Sequence, residues 1–446
     1  MTSLVPVGAA LTRTASAPPA RIVHIGLGAF SRSHIAWYTD RATDAAQWGI
    51  SAYAGRSGAL ADALSGQDCL YTLIERSAEG DRPTVVSSIV AAQRGDDHQT
   101  LIHELASSTT SIVTLTITEA GYRTRADGTP DDIDPAVGAD IAELQRVARG
   151  SVSASEARMQ TALGRLVLAL EVRRVRGSGP LALVCCDNIP DNGSYLRSAL
   201  VVLARHLPNA AEWIENNVSF VSTSVDRITP RLDPGEESIL RERYDDAAPV
   251  VAEPFSDWVL SGDFPAGRPK WETAGARFTD DLEPWEARKL WMLNGAHTLL
   301  ASLGSLRGHD HVAQAIVDPV CRAAVEALWD DAARQLPRDV DTAAYRVALV
   351  DRFANPRIVH RLEQIAEGAS TKIRLRVVPV AERERASGRD ADGCATAIAA
   401  WVVALGETSA SVRGLIQGAS ETLGADEAFI ASVAAHATDL DKLTLR

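Results

Sequence analysis

A glycine turn follows directly on the first apolar segment of the chain. Residues 21–25 are strand-like, residues 26–31 read Gly-Leu-Gly-Ala-Phe-Ser, and a helix is predicted from Ser33 to about Gln47. In a parallel α/β sheet, a turn of this kind lets backbone N–H groups approach a pyrophosphate at the positive end of the following helix. The order therefore favours a Rossmann-type dinucleotide-binding domain, with Gly26, Gly28, Ala29 and Phe30 against the cofactor. A lone Gly-x-Gly can also simply reverse the chain, and Ser31 stands where the third glycine of the fingerprint would be.

The second predicted strand does not settle which dinucleotide would bind. It covers residues 49–54 and ends at Gly55-Arg56-Ser57, where an Asp or Glu for the adenosine ribose is usual. Arg56 could instead stack on an adenine or hold a 2′-phosphate. We take NAD as the expected cofactor and leave NADP open.

Strands and helices alternate up to about residue 280, and nearly everything beyond is predicted to be helical. The clearest further strands are 111–118, 181–186 and 220–225; helices are expected at 151–175, 284–304 and 355–367, among others. This pattern predicts an α/β Rossmann-type domain with a mainly α-helical C-terminal domain. The predicted boundaries are a flexible leader at 1–20, the dinucleotide-binding domain at 21–280 and the helical domain at 281–446.

Composition excludes several classes of partner. The 446 residues carry a net charge of -13, which argues against nucleic acid and anionic membranes. The five cysteines are scattered without zinc spacing, and we assign no metal to His309-Asp310-His311. The N-terminus lacks the pattern of a signal peptide, and no apolar run approaches the ~18 residues of a membrane span. We therefore expect a cytoplasmic protein, a monomer or small homo-oligomer, that acts on a small molecule.

Three polar side chains interrupt an otherwise apolar helix at residues 288–300. At about 100° per residue, Asn294 lies roughly 140° from Lys289 and His297 roughly 80°, so the three share one broad face. Apolar surroundings lower the pKa of a lysine toward neutrality, which suits a proton-transfer catalyst. The alternative is a core helix whose lysine reaches water and whose Asn and His are bonded locally.

A second candidate group follows the buried strand at 181–186. The carboxyl end of this strand delivers Asp187 and Asn188, and ligands of open parallel sheets bind outside the carboxyl ends of strands. Asn188 is therefore well placed to act on a ligand. A turn-and-cap pair is the structural alternative for both residues.

Four segments in this order resemble the mannitol dehydrogenase family, the polyol-specific long-chain dehydrogenases. The resemblance runs from about residue 21 to 440 and rests on 25–34, on 186–188 with 192–193, on 225–230 and on 289–297.

The resemblance implies a metal-independent, NAD(P)-dependent secondary-alcohol dehydrogenase. By position it implies that Lys289 is the general acid/base, that Asn188 and Asn294 donate to the reacting oxygen, and that His297 orients the substrate. Asp226, in the third segment, joins the cofactor-binding residues. These roles agree with the chemistry, because hydride transfer to a carbonyl builds negative charge on oxygen that amide donors stabilise.

Within the family, residues 353–366 resemble the fructuronate reductase (mannonate 5-oxidoreductase) branch. His360 and Gln364 stand where mannitol-type enzymes usually carry Asp and Arg. The implied reaction interconverts D-fructuronate and D-mannonate. A uronate needs a cation for its carboxylate, and the candidates Arg361, Lys372 and Arg374 are otherwise surface charges. The segment 367–371 departs from the Asp-Gly-Ser that usually precedes the lysine aligned with Lys372, so the substrate pocket can differ from that of the family.

Two alternatives stay open. The same chemistry could act on an uncharged polyol, as in a mannitol 2-dehydrogenase that interconverts fructose and mannitol. A protein of another class, a catalytically silent dinucleotide-binding protein, would keep the fold without turnover. The retained Lys289 argues against it, because a chain free of catalytic demand has no physical reason to keep a costly buried lysine.

Overall fold

The computed structural model describes residues 11–55 and 57–444, so Arg56 and the first half of the predicted leader at 1–20 lie outside the described residues. The chain divides into two compact units. The first comprises the chain up to Arg76 and Asp81–Leu282, and the second comprises Ser77–Gly80 and the chain from Glu283 onward. Leu282 ends the first unit close to the boundary predicted at residue 280.

The first unit contains two sheets and the helices that cover them. Its strands are β1 (Ala20–Leu27), β2 (Gly49–Ala54), β3 (Tyr71–Arg76), β4 (Asp81–Val86), β5 (Ile89–Gln93), β6 (Ile112–Leu115), β7 (Leu181–Cys185), β8 (Val218–Asp226), β9 (Val250–Ala252), β10 (Asp257–Ser261) and β11 (Arg277–Phe278). Its helices are α1 (Ala29–Ser33), α2 (Ile35–Arg41), α3 (Ala59–Ser65), α4 (His98–Leu105), α5 (Pro135–Ala148), α6 (Ala162–Arg176), α7 (Asn192–Ala204), α8 (Ala210–Asn217) and α9 (Pro234–Tyr244).

The larger sheet confirms the predicted Rossmann-type α/β fold. Its strand order is β11-β10-β8-β7-β6-β1-β2-β5, and the run from β8 to β5 is parallel throughout. β6 and β7 are buried along their whole length, as continuous apolar strands covered on both faces should be. The strand order reverses between β1 and β6, which opens a crevice at their carboxyl ends.

Part of the predicted flexible leader is bonded to the first unit. Leu11 is buried. The backbone N–H of Arg13 donates to Asp68 Oδ2 at 3.0 Å, and its Nη2 donates to the backbone oxygens of Ser87 (2.6 Å) and Ile89. Residues 11–13 are therefore held against the edge strand β5 rather than loosely attached.

A buried arginine ties together the segments that precede β6 and β7. Arg173, on α6, is 1% exposed, and burial lowers its pKa to about 10. Its guanidinium donates only to backbone oxygens, those of Leu105, Ser107, Thr110, Ser178, Gly179 and Pro180, at 2.7 to 3.2 Å. These residues lead into the amino ends of the two strands, the edge of the sheet opposite the crevice.

The second unit confirms the predicted helical C-terminal domain. Its α-helices are α10 (Glu283–Arg288), α11 (Gly295–Leu306), α12 (Val312–Val317), α13 (Pro319–Arg334), α14 (Thr342–Phe353), α15 (Leu362–Ala366), α16 (Ala369–Arg376), α17 (Val378–Ala386), α18 (Asp392–Ala404), α19 (Val412–Ala419), α20 (Glu421–Gly424) and α21 (Glu427–Thr444), and a π-helical segment, Lys289–Asn294, joins α10 to α11.

Helix α18 packs against α11, α13 and α21 in the core of this unit. Gly393 makes the crossing with α13 possible, because a Cβ there would lie 2.3 Å from the backbone of Ala327. Among the described residues, no single helix is long and apolar enough to cross a bilayer, and α18 with α19 meets that criterion only as a pair bent by 116°.

Candidate active site

The first unit contains a cavity of about 1310 Å³ at the carboxyl ends of β1, β2 and β6. This is the crevice that the reversal of strand order creates. Its lining includes Gly26 and Leu27 after β1, Gly55 after β2, Arg94–Asp96 after β5, Thr116–Gly121 after β6, and Arg165 and Tyr195 from α6 and α7. An elongated ligand that crosses several strand ends would fit such a site.

The glycine turn has two glycines with different tasks. Gly26 has φ +112°, and a Cβ there would lie 2.1 Å from the backbone oxygen of Thr116, so no side chain fits. At Gly28 a Cβ would meet only the oxygen of Gly26, at 3.6 Å, which leaves room above the turn for a bulky group. Ser31, in place of the third glycine, accepts a hydrogen bond from the Gly28 N–H at 3.0 Å and so caps α1.

The predicted cofactor residues fall into three groups. Gly26 lines the cavity directly. Gly28, Ala29 and Phe30 follow it at the start of α1, although within the described residues they are not part of the lining, and Phe30 stacks on His34 at 4.8 Å. Asp226 is buried at the end of β8, in register with Asp257 of β10, and is likewise not part of the lining.

The loop at Arg94–Asp96 lines the cavity but was not identified from the sequence. A Cβ at Gly95 would lie 2.2 Å from the backbone oxygen of Ala54, so this loop packs tightly against the end of β2. The available signal was a glycine two residues after the segment at 89–93, which is similar to the position of Gly26 after the segment at 21–25.

Asp187 has the structural role that the turn-and-cap alternative assigns to it. Its carboxylate accepts hydrogen bonds from the backbone N–H groups of Ile117 (3.1 Å) and Thr118 (2.7 Å) and from the Tyr122 hydroxyl (2.7 Å). Burial raises its pKa, and these hydrogen bonds oppose the shift. The carboxylate joins the end of β6 to the end of β7, and the next residue, Asn188, is exposed at that edge.

The other residues of this motif join β7 to β8. The Asn192 side chain donates to the backbone oxygens of Asp187 and Thr223 and accepts from the Thr223 N–H, each at 2.8 Å. Gly193 is needed because a Cβ there would lie 2.7 Å from the backbone nitrogen of Ser222. Asn188 is thus a surface residue on a rigid support.

The segment after β8 is also mostly structural. Arg227 is buried, pairs with Glu75 at 2.7 Å, donates to the backbone oxygens of Ser33 and Glu253, and stacks on Trp37 at 4.7 Å. It therefore fixes the helix that follows the glycine turn relative to β8.

In the second unit, the predicted helix over 284–304 is confirmed, but between Lys289 and Asn294 it is a π-helix rather than the α-helix that the assumed spacing of 100° per residue requires. The N–H of Gly295 donates to the oxygen of Leu290, five residues earlier, which defines a π turn. Around the axis of an α-helix, residue i+5 lies roughly 140° from residue i. A hydrogen bond between residues i and i+5 widens the turn and reduces this angle. The π turn thus brings Asn294 closer to the side of Lys289 than the α-helical geometry allows, and such turns are frequent at functional sites.

Side chains from other helices support the π segment. Trp329 Nε1, on α13, donates to the oxygen of Met292 at 2.8 Å. The oxygen of Asn294 accepts from Thr298 Oγ1 at 3.0 Å and from Arg376 Nη1, on α16, at 3.3 Å. Lys289 is half-buried at the start of this segment.

We expect Trp329→Phe to disturb the π segment, because it keeps most of the apolar volume but removes the donor to Met292. The matched control is Trp401→Phe, since the Trp401 indole is also buried and its N–H has no hydrogen-bond partner among the described residues. The free energy of unfolding should fall by about 1–3 kcal/mol more for the Trp329 variant. Equal losses in urea unfolding of the two variants would show that this hydrogen bond does not stabilise the segment.

The structure brings His297 and His360 together. Their rings are edge-on with centroids 5.7 Å apart. The ring centroid of Phe353, at the end of α14, lies 4.7 Å from that of His297, which is on α11. The His360 backbone oxygen accepts from the Val312 N–H, so an antiparallel bridge with residues 310–312 fixes this segment. Burial, and then the nearby Arg352, lowers the pKa of His360, which favours the neutral form of its imidazole.

The remaining predicted substrate residues are less enclosed. Arg361, Gln364 and Arg374 are exposed. Lys372 is half-buried and donates from Nζ to the oxygen of Ile365 at 2.7 Å. Within the described residues there is no group of three or more His, Cys, Asp and Glu side chains suited to a metal.

The comparisons with known proteins agree with this architecture. Residues 20–273 match the mannitol dehydrogenase Rossmann domain, and residues 281–419 match the mannitol dehydrogenase C-terminal domain. From Escherichia coli strain K12, the uncharacterized oxidoreductase YeiQ is 37% identical over 86% of this chain and 78% of its own length, and D-mannonate oxidoreductase is 34% identical over 86% and 79%. The mannitol 2-dehydrogenase of Pseudomonas fluorescens, solved with NAD and D-mannitol, is 31% identical over 98% of this chain and 95% of its own, with a TM-score of 0.74. The chain therefore belongs to the mannitol dehydrogenase family of oxidoreductases.

Proposed function

We propose that the protein interconverts D-fructuronate and D-mannonate with NAD as cofactor. The observation that carries this proposal is the pairing of His297 with His360, because His360 stands where mannitol-type relatives usually carry Asp. An imidazole, unlike an aspartate, can bond a sugar hydroxyl without adding a negative charge beside a substrate carboxylate. One relative at 34% identity is a D-mannonate oxidoreductase.

The cavity of the first unit fits a dinucleotide. It lies where the strand order reverses, Gly28 leaves space above the turn, and arginines at 94, 123, 125 and 165 line it beside acidic residues at 96, 119 and 134. These arginines can offset the charge of a pyrophosphate. When bound, NADH supplies a hydride to the carbonyl carbon of the sugar acid.

The chain's own residues would handle the proton and the developing charge. Lys289 donates a proton from Nζ to the carbonyl oxygen during reduction and takes it back during oxidation. The side-chain amide of Asn294 donates to the same oxygen, where negative charge builds up, and Asn188 is the second amide donor that the family resemblance implies. His297 and His360 orient the substrate hydroxyls, with Gln364 and Arg361 nearby in the chain.

The test is NADH oxidation by the purified protein with fructuronate, tagaturonate and fructose in parallel, repeated with NADPH. We expect NADH to be preferred and kcat/KM for fructuronate to exceed that for fructose on the order of 100-fold or more, because a site built for a carboxylate rejects a substrate without one. Preference for fructose would contradict the substrate assignment and support a mannitol 2-dehydrogenase activity. Binding of NADH without turnover of any substrate would support a silent dinucleotide-binding protein.

A further inference from the structure

Arg376, the last residue of α16, is a half-buried cation that forms no ion pair with an acidic side chain of the described residues. Its Nη1 donates to the backbone oxygen of Asn294 at 3.3 Å and to Thr298 Oγ1 at 3.1 Å. Throughout the described chain, no carboxylate forms an ion pair with it, and burial lowers its pKa. Even partial burial of a charge without a counter-charge costs hydration, so the position of this cation beside Asn294 calls for an explanation.

The buried arginines Arg227 and Arg173 have more complete sets of hydrogen-bond acceptors than Arg376. Arg227 pairs with Glu75, and all three guanidinium nitrogens of Arg173 donate to backbone oxygens. Arg376 bonds through Nη1 alone, and its Nε and Nη2 have no acceptor among the described residues. In arginine–carboxylate pairs, Nε and one Nη can donate two parallel hydrogen bonds to the two carboxylate oxygens. In Arg376, this pair of donors is Nε and Nη2.

A second cation lies one helical turn earlier on the same helix. Lys372 precedes Arg376 by four residues. Burial, and then the repulsion by Arg376, lowers the pKa of Lys372, while Glu367 opposes the shift. The Lys372 ammonium is held by the oxygen of Ile365 in α15, the helix that carries Gln364. Like charges at this spacing destabilise a helix, so an anion bound between them would relieve the repulsion.

We infer that Arg376, with Lys372 beside it, binds the carboxylate of the sugar-acid substrate. This inference rests on the proposed function. The contact between Arg376 and Asn294 anchors the guanidinium next to an amide that we propose donates to the reacting oxygen. The other cations considered from the sequence, Arg361 and Arg374, are exposed and gain less from a bound carboxylate because water screens them.

The experiment compares fructuronate and fructose as substrates of wild type, Arg376→Met and Arg376→Lys, with Arg338→Met, at an exposed arginine of the second unit, as the control. For Arg376→Met we expect kcat/KM on fructuronate to fall on the order of 100-fold, mainly through KM, and kcat/KM on fructose to change by less than about 5-fold. Arg376→Lys keeps the positive charge but cannot form two parallel hydrogen bonds with a carboxylate. Its kcat/KM on fructuronate should therefore lie between those of wild type and Arg376→Met. Arg338→Met should have the kcat/KM of wild type on both substrates.

The ratio of kcat/KM for the two substrates separates the possible results. If Arg376 only braces the π segment, both activities fall together in Arg376→Met, the ratio is unchanged, and the inference is overturned while the proposed function stands. If wild type itself does not prefer fructuronate, the proposed function fails and the inference fails with it. Should Arg376→Met fail to fold by circular dichroism, the ratio measured for Arg376→Lys decides.

Discussion

Replacing Lys289 with alanine should lower kcat for fructuronate reduction by roughly 100-fold to 10,000-fold, the usual contribution of a positioned proton donor. The Kd for NADH should stay within about 2-fold of wild type, because Lys289 is not part of the lining of the cavity that fits the dinucleotide. Steady-state kinetics and fluorescence titration of NADH measure the two quantities.

The control is Lys270→Ala, since Lys270 is exposed on the first unit and belongs to no part of the proposed site. It should retain wild-type kcat. Turnover by the Lys289 variant close to that of wild type would remove this lysine from the mechanism. A matching loss of NADH binding would show that the variant disturbs the fold rather than the proton transfer.

Replacing Arg173 with methionine should destabilise the first unit by about 3–5 kcal/mol. The change leaves up to six backbone oxygens without their donor, and each buried acceptor without a partner costs about 1–3 kcal/mol. Loss of the buried charge offsets part of this, because a methionine carries no desolvation cost. Urea unfolding followed by circular dichroism measures the shift.

The neighbouring residue supplies a matched control. Arg174 is on the same turn of α6 but bonds the Glu171 carboxylate, at 2.7 Å, in a partly exposed pair. Arg174→Met should cost no more than about 1 kcal/mol. Equal destabilisation by the two variants would contradict the role given to the hydrogen bonds of Arg173.

Elements whose signals are local were predicted well from the sequence. The strand at 49–54 coincides with β2, and 181–186 differs from β7 by one residue. Both are apolar runs that end at turn residues, so neither depends on distant contacts. The helix expected from Ser33 to Gln47 was wrong in its bounds: α1 begins at Ala29, because Ser31 caps the turn at Gly28, and α2 ends at Arg41.

Elements set by distant contacts were not predictable in this way. The helix expected at 151–175 begins only at Ala162. The buried Asp140 carboxylate accepts hydrogen bonds from the N–H groups of Gln160 and Thr161, and this contact holds the preceding residues outside the helix. The helix expected at 355–367 is limited to α15, because residues 360–362 form an antiparallel β-bridge with residues 310–312 instead.

The same distinction applies to the candidate site. Lys289, Asn294 and His297 were identified because polar residues in an apolar helix are visible in the sequence. The π segment was missed, since the donor that supports it, Trp329, lies 37 residues away. Arg376 was missed because its partner is a backbone oxygen 82 residues away, which leaves no sequence pattern.

Transfer of deuterium from 4-deuterated NADH to the sugar acid tests the proposed reaction most directly. With fructuronate as substrate and wild-type protein, NMR should show mannonate with deuterium at C5 and one NAD⁺ formed for each labelled molecule. Labelled mannitol from fructose without labelled mannonate from fructuronate would contradict the proposed substrate assignment. Binding of NADH with no deuterium transfer to either substrate would contradict the proposed catalytic activity.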